Sequence, residues 1–104
     1  MNNRIAKIAE EYGYDAQSRQ CIEEMAELTQ AINKFWRKQL KCGKLEFSHA
    51  GFCNKEYENL IEEIADTQIM LEQMKILLNC EGNVQLAIEE KLDRQIARIT
   101  EEKD

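Results

Sequence analysis

Proline is absent from this chain of 104 residues, and only four glycines interrupt it. Proline breaks the helical hydrogen-bond ladder, and interior glycine weakens a helix by about 1 kcal/mol. A sequence with so few interruptions is free to run in long helices, and its apolar residues recur at the spacing such helices need.

Four helices are expected. The first covers Asn2 to Tyr12, with Ile5, Ile8 and Ala9 on one face, and Gly13 ends it. Asp15 is placed to cap a second, running to about Lys41. Its apolar stripe is Cys21, Met25, Leu28, Ile32 and Phe35, with Glu24, Glu27, Ala31 and Lys34 on the adjoining stripe. Residues 42–54 hold Gly43, Gly51 and the single histidine, His49, and read as a loop ordered by Leu45, Phe47 and Phe52. A third helix is expected from Lys55 to Asn79, with a core stripe of Leu60, Ile64, Thr67, Leu71, Met74 and Leu78. Glu63, Asp66, Met70 and Leu77 lie beside it. After a turn over Cys80 to Asn83, a fourth helix runs from Val84 to about Glu101 on Val84, Ile88, Leu92, Ile96 and Ile99. The fold class is therefore all-α, a single helical domain.

Charge and hydropathy narrow the partners. Hydrophobic residues are 43% and charged residues 33% of the chain, the balance of a globular protein. The net charge of -6 argues against a nucleic-acid backbone as partner. Apolar runs are no longer than triplets such as Ile69-Met70-Leu71, so no membrane span and no secretory leader are expected, which points to the cytoplasm. Four cysteines without a C-x-x-C pair are expected as free thiols.

Two acidic pairs stand out: Glu24 and Glu27 on the second helix, Glu63 and Asp66 on the third. Each pair is spaced i, i+3, which puts both side chains on one helical face. Each lies beside an apolar stripe, and neither 21–33 nor 56–74 contains a basic residue. Two such pairs on packed helices would converge on one point and repel unless a cation sits between them. Hard oxygen donors favour Mg²⁺ or Mn²⁺. The plain alternative is a solvated acidic face, the commonest meaning of such pairs. A di-iron bundle would need Glu-x-x-His pairs, and the only histidine lies in the loop.

Basic residues supply the other candidates. Lys91 and Arg94 share a face of the fourth helix and suit phosphate contact, against the alternative of a solvated surface. Lys34, Arg37 and Lys38 form a second group beyond Glu27. Phe35 is expected in the core, whereas Trp36 is a candidate for stacking on a base. Cys42, His49 and Cys53 lack a fourth ligand and match no zinc spacing.

Glu23-Glu24-Met25-Ala26-Glu27 followed by Glu63-Ile64-Ala65-Asp66 resembles the MazG-like, all-α nucleoside triphosphate pyrophosphohydrolases. Tyr12-Gly13, Gln17 and Lys91-Leu92-x-Arg94 also look like short members of that family. The resemblance covers about residues 5 to 98. It implies a four-helix bundle completed by oligomerisation, as a homodimer or homotetramer. It implies cleavage of a (d)NTP between the α and β phosphates, giving a monophosphate and pyrophosphate. Carried over by position, Glu24, Glu27, Glu63 and Asp66 would hold Mg²⁺ or Mn²⁺. Glu23, Glu24 and Glu27 would be catalytic, with Glu23 orienting water. Lys34, Trp36, Lys91 and Arg94 would bind substrate. Two other readings stay open: a phosphoribosyl-ATP pyrophosphatase-like enzyme, and a catalytically silent helical dimerisation module.

Overall fold

The computed structural model describes residues 3–41 and 55–103. The expected loop over 42–54, with His49, Cys42 and Cys53, lies outside the described residues. Three α-helices follow in order: α1 (Asn3–Lys41), α2 (Lys55–Leu77) and α3 (Glu81–Lys103), with no strand among the described residues.

Gly13 interrupts α1 with φ 82 and ψ 170, a conformation essentially reserved for glycine. The expected break between a first and a second helix is therefore real, although the two rods run on as one element. A Cβ built at Gly13 would meet nothing within 4 Å, so the backbone angle and not crowding demands glycine there.

The end of α2 has a specific cause. Asn79 sits at φ 52, its N–H donates to the Ile76 carbonyl at 3.1 Å, and the Cys80 N–H donates to the Lys75 carbonyl at 3.0 Å. This pair of bonds is the Schellman closure, which satisfies carbonyls that the helix leaves open. The Cys80 carbonyl then accepts from the Val84 N–H at 2.9 Å and starts α3. The fourth expected helix thus begins at Glu81 and not at Val84. Gly82 falls in the first turn, where it does not stop a helix that Cys80 has already begun.

α1 and α2 pack as an antiparallel hairpin. The residues that α1 turns inward are Gln17, Cys21, Glu24, Leu28, Ala31 and Phe35, all buried or half-buried. Their spacing alternates between four and three, as in a coiled-coil seam. Leu60, Glu63, Thr67, Met70, Met74 and Leu77 do the same on α2. Near the far end of α1 the rings of Phe35 and Tyr57 meet with centroids 6.0 Å apart.

This seam is not the stripe that hydropathy favours. Met25 and Ile32 were expected in the core and are 42% and 50% exposed; Ile64 and Leu71 are 41% and 46% exposed. Each helix carries two stripes of period 3.5, and a hairpin can bury only one of them. The buried one holds the smaller and more polar residues, such as Ala31 and Thr67, which let the two backbones approach. The other runs through Ile22, Met25, Ile32 and Trp36 on α1 and through Ile61, Ile64 and Leu71 on α2 to Leu78 in the turn after it, all exposed.

α3 meets α2 just beyond the turn and does not pack along α1. Its stripe of Ile88, Leu92, Ile96 and Ile99 is exposed. The molecule measures 45 × 41 × 20 Å, with a radius of gyration of 17.5 Å against about 13 Å for a compact domain of this length. The molecule is extended, with α3 standing away from α1. One chain therefore forms an all-α hairpin with an outrigger helix.

Because Gly13 holds a glycine-only backbone conformation, Gly13→Ala should lower stability by about 1–3 kcal/mol with little loss of helix content. Thermal and urea unfolding followed by circular dichroism would check this; an unchanged midpoint would contradict it.

Candidate metal centre

Glu24 enters the hairpin from the middle of α1, and Glu63 from the first half of α2. Both occupy seam positions, so packing of their neighbours draws them inward. Asp66 stands one turn beyond Glu63 on the rim and is exposed. One carboxylate oxygen from each of Glu24, Glu63 and Asp66 lies within 4.8 Å of the other two. Around Mg²⁺, with bonds of about 2.1 Å, ligand oxygens stand at most about 4.2 Å apart. A small inward movement of the side chains would bring this set to that geometry.

Glu27 lies outside this set of three, but it is the first of the charges acting on Glu63. Burial pushes the Glu63 carboxyl above its ordinary value of 4.5, and the charges of Glu27, Asp66 and Glu24 push it the same way. Every charge that bears on Glu63 is negative.

Two oxygens reveal what the cluster lacks. Glu24 Oε2 and Glu63 Oε2 are both buried and have no hydrogen-bond partner. An unsatisfied buried acceptor costs about 1–3 kcal/mol, more when charged, so such atoms are rare without a reason. The other Glu24 oxygen is held: Gln20 Nε2 donates to Oε1 at 2.8 Å. Thr67 Oγ1 donates to the Glu24 backbone carbonyl at 3.4 Å and ties the two helices at the level of the acids. Gln20 holds the Glu24 carboxylate by Oε1, and Oε2 stays buried without a partner. The donor set, all hard oxygen, fits Mg²⁺ or Mn²⁺.

The remaining candidates divide. Glu23 is exposed, one turn before Glu27 on the flank of α1. Lys34 stands seven residues, or about 10 Å, along α1 from Glu27 on the same side. It lines a small cleft of about 240 Å³ with Arg37, Lys38 and Glu56. Trp36 is nine residues from Glu27, two and a half turns, and emerges on the opposite side of α1 among the exposed apolar residues. Lys91 is exposed on α3, and Arg94 approaches Glu90 of its own helix at 4.0 Å. A single chain thus gathers Glu24, Glu63 and Asp66, with the charge of Glu27 acting on Glu63 and Lys34 two turns beyond Glu27 along α1. It does not bring Trp36, Lys91 or Arg94 to them.

Sequence reasoning passed over Gln20, Thr67 and Gln73. Gln20 carried a signal, since it lies one turn before Glu24 where a side-chain amide can reach a carboxylate. Thr67 was read only as core, because its partner is 43 residues away.

Compared with known proteins, the chain matches no family model, no curated protein and no solved structure.

A carboxyl held above 4.5 in the fold keeps its proton where the unfolded chain has released it. The stability Glu63 contributes to the metal-free protein therefore falls as pH rises from 4.5 through the raised value, then levels off. Glu63→Gln should remove that decline and raise the melting temperature of the metal-free protein at pH 7. The same variant should lose the stabilisation that Mn²⁺ confers, which for wild type is about 2.7 kcal/mol at a hundred times Kd. Differential scanning calorimetry across pH, with and without Mn²⁺, measures both; a destabilised variant that still responds to Mn²⁺ would refute the assignment.

Proposed function

We propose that this protein is a Mg²⁺-dependent nucleotide pyrophosphohydrolase of the MazG-like kind. The reaction would be cleavage of a nucleoside triphosphate between the α and β phosphates, and the setting cytoplasmic. The observation that carries this reading is the convergence of Glu24, Glu63 and Asp66, with Glu27 beside them and two buried oxygens left without partners. The order of the acidic residues is that of the resemblance drawn from the sequence, with a longer stretch between the two pairs. No helix of the described residues is long and apolar enough to cross a membrane.

In this reading Glu24, Glu27, Glu63 and Asp66 hold the cation. When bound, Mg²⁺ supplies Lewis acidity toward the phosphoryl oxygens and offsets their charge. The chain's own residues do the rest. Gln20 fixes the Glu24 carboxylate, so the ligand set is oriented before substrate arrives. Glu27 takes the proton of the attacking water, since it is exposed and lies outside the three carboxylates that stand closest together. Glu23, one turn away, orients that water. The oxygen of water bonds to the α-phosphorus, the bond from that phosphorus to the α–β bridging oxygen breaks, and pyrophosphate leaves. Lys34 lies where the departing phosphates would extend along α1. Trp36, Lys91 and Arg94 bind substrate in this scheme only if a second subunit presents them.

The scheme therefore includes a homodimer or homotetramer that closes the hairpin into a four-helix bundle. The chain exposes 8331 Å², against about 6,100 Å² for a compact monomer of 12.2 kDa. The surplus exceeds the roughly 800 Å² that one partner buries in a standard interface. A helix must bury its apolar stripe against another element, and one chain leaves the outer stripes of α1, α2 and α3 exposed. Those stripes offer the face on which a second subunit would sit. A catalytically silent dimerisation module would use the same stripes, so association does not separate it from the enzyme.

Chemistry does separate them. Incubation with a panel of (d)NTPs, with phosphoribosyl-ATP included, in Mg²⁺ should release pyrophosphate from at least one nucleotide. Glu27→Gln should slow that release by about a hundredfold or more. Absence of pyrophosphate from every member of the panel would end the enzymatic reading. Independently, Ile32→Glu with Leu71→Glu should convert an oligomer into a monomer in sedimentation velocity at micromolar protein. Wild type that sediments as a monomer would remove the bundle.

A further inference from the structure

One turn-pair away from the carboxylates the seam contains a second buried polar layer, made of amides. Gln73 is the most enclosed large side chain among the described residues, 1% exposed, and Gln17 is buried opposite it. Gln17 Nε2 donates to Gln73 Oε1 at 2.8 Å, and Gln73 Nε2 donates to Met70 Sδ at 3.6 Å. Apolar residues would fill this volume with no desolvation cost, and Ala31, Phe35 and Met70 do so elsewhere in the hairpin. A polar pair in a helix seam weakens packing but discriminates between registers, because any slide leaves buried amides unpaired.

The register matters here for a reason visible in the numbering. Seven residues up α1 from Gln17 is Glu24; seven residues back along α2 from Gln73 is Asp66, its partner in the cluster. Three further steps each way reach Glu27 and Glu63, whose charges act on one another. The amide pair and both acid pairs belong to one alignment of the two helices. The forces at the two layers oppose each other. Like charges held within 4.8 Å push the helices to slide, and the seam between them offers mainly small or flexible side chains such as Cys21, Ala31, Thr67 and Met70. Such a surface resists sliding weakly.

We propose that the Gln17–Gln73 pair is a register pin that holds the four carboxylates in line while no cation is bound. Gln17 and Gln73 are positioning residues: they act about 10 Å from the acids, through the alignment of α1 and α2. The part that concerns the cation rests on the metal reading above; the part that concerns register does not.

The test replaces both amides at once, since a single change would orphan its partner. Gln17→Met with Gln73→Met keeps side-chain length and removes the polar pair; Gln17→Leu with Gln73→Leu is the second version. Three measurements are made on each full-length double variant and on wild type. These are melting temperature, the nuclear Overhauser contacts between the Phe35 and Tyr57 rings as a reporter of register, and Mn²⁺ affinity by titration. The proposal expects a melting temperature equal to or above wild type. It also expects more than one set of resonances with weakened Phe35–Tyr57 contacts, and Mn²⁺ affinity at least about tenfold lower. A purely structural pair would leave one resonance set, intact ring contacts and wild-type affinity, and that result overturns the proposal. So does failure of both double variants to fold, which would make the pair a source of stability and not of alignment. If wild type itself binds no Mn²⁺, the metal reading fails, and the resonance sets alone decide whether the amides pin the register.

Discussion

The structure depends on placing charge inside a helix–helix seam. Glu24 and Glu63 occupy positions where a coiled coil puts leucine, and their outer oxygens are buried without partners. Left alone, this opposes folding: every charge near Glu63 is negative, and its proton is held more tightly as a result. A seam built for stability would not be built this way. Polar donors support it at each step, with Gln20 on one Glu24 oxygen and the Thr67 hydroxyl on its carbonyl. The side-chain oxygens themselves are left facing one another. Such preorganisation costs stability and makes sense where a cation repays it.

A second constraint acts on the scale of the whole chain. Each helix has two apolar stripes, and the hairpin consumes the weaker. The stronger stripes, rich in isoleucine and leucine, lie on the outside with α3 standing apart. An isolated helix of 23 residues gains little in water from propensity alone and normally depends on packing. Self-association would supply that packing, and it would also separate the tasks of the two stripes. The smaller residues bring α1 and α2 close enough for Glu24, Glu63 and Asp66 to meet, while the larger ones are free to bind a neighbour.

Much of this was legible in the residues. The absence of proline, the glycine at position 13 and the turn near Cys80 delimit the helices to within a few positions. The i, i+3 acidic pairs mark three side chains that the structure brings within 4.8 Å of one another, Glu24, Glu63 and Asp66, whereas Glu27 falls outside that set, because spacing fixes a helix face and not the direction of each side chain. The assignment of Met25, Ile32, Ile64 and Leu71 to the core did not hold within one chain, since hydropathy ranks stripes by greasiness and not by how closely they let two backbones approach. Nor did the sequence distinguish Lys34, near the acids, from Trp36, two positions on and across the helix.

Periodicity alone, then, determined that this protein is helical, where its helices break, and that Glu24 pairs with Glu27 and Glu63 with Asp66. Those are consequences of local backbone geometry and need no knowledge of the partner strand of chain. Only the tertiary structure decided which stripe became the seam, and that Gln17 faces Gln73 across 56 residues. Only it decided that Glu24 Oε2 and Glu63 Oε2 are each buried without a hydrogen-bond partner. A helix repeats its pattern every turn, so many registers look alike in one dimension. The choice among them is made by contacts between distant segments, where side-chain size, buried amides and like charges compete directly.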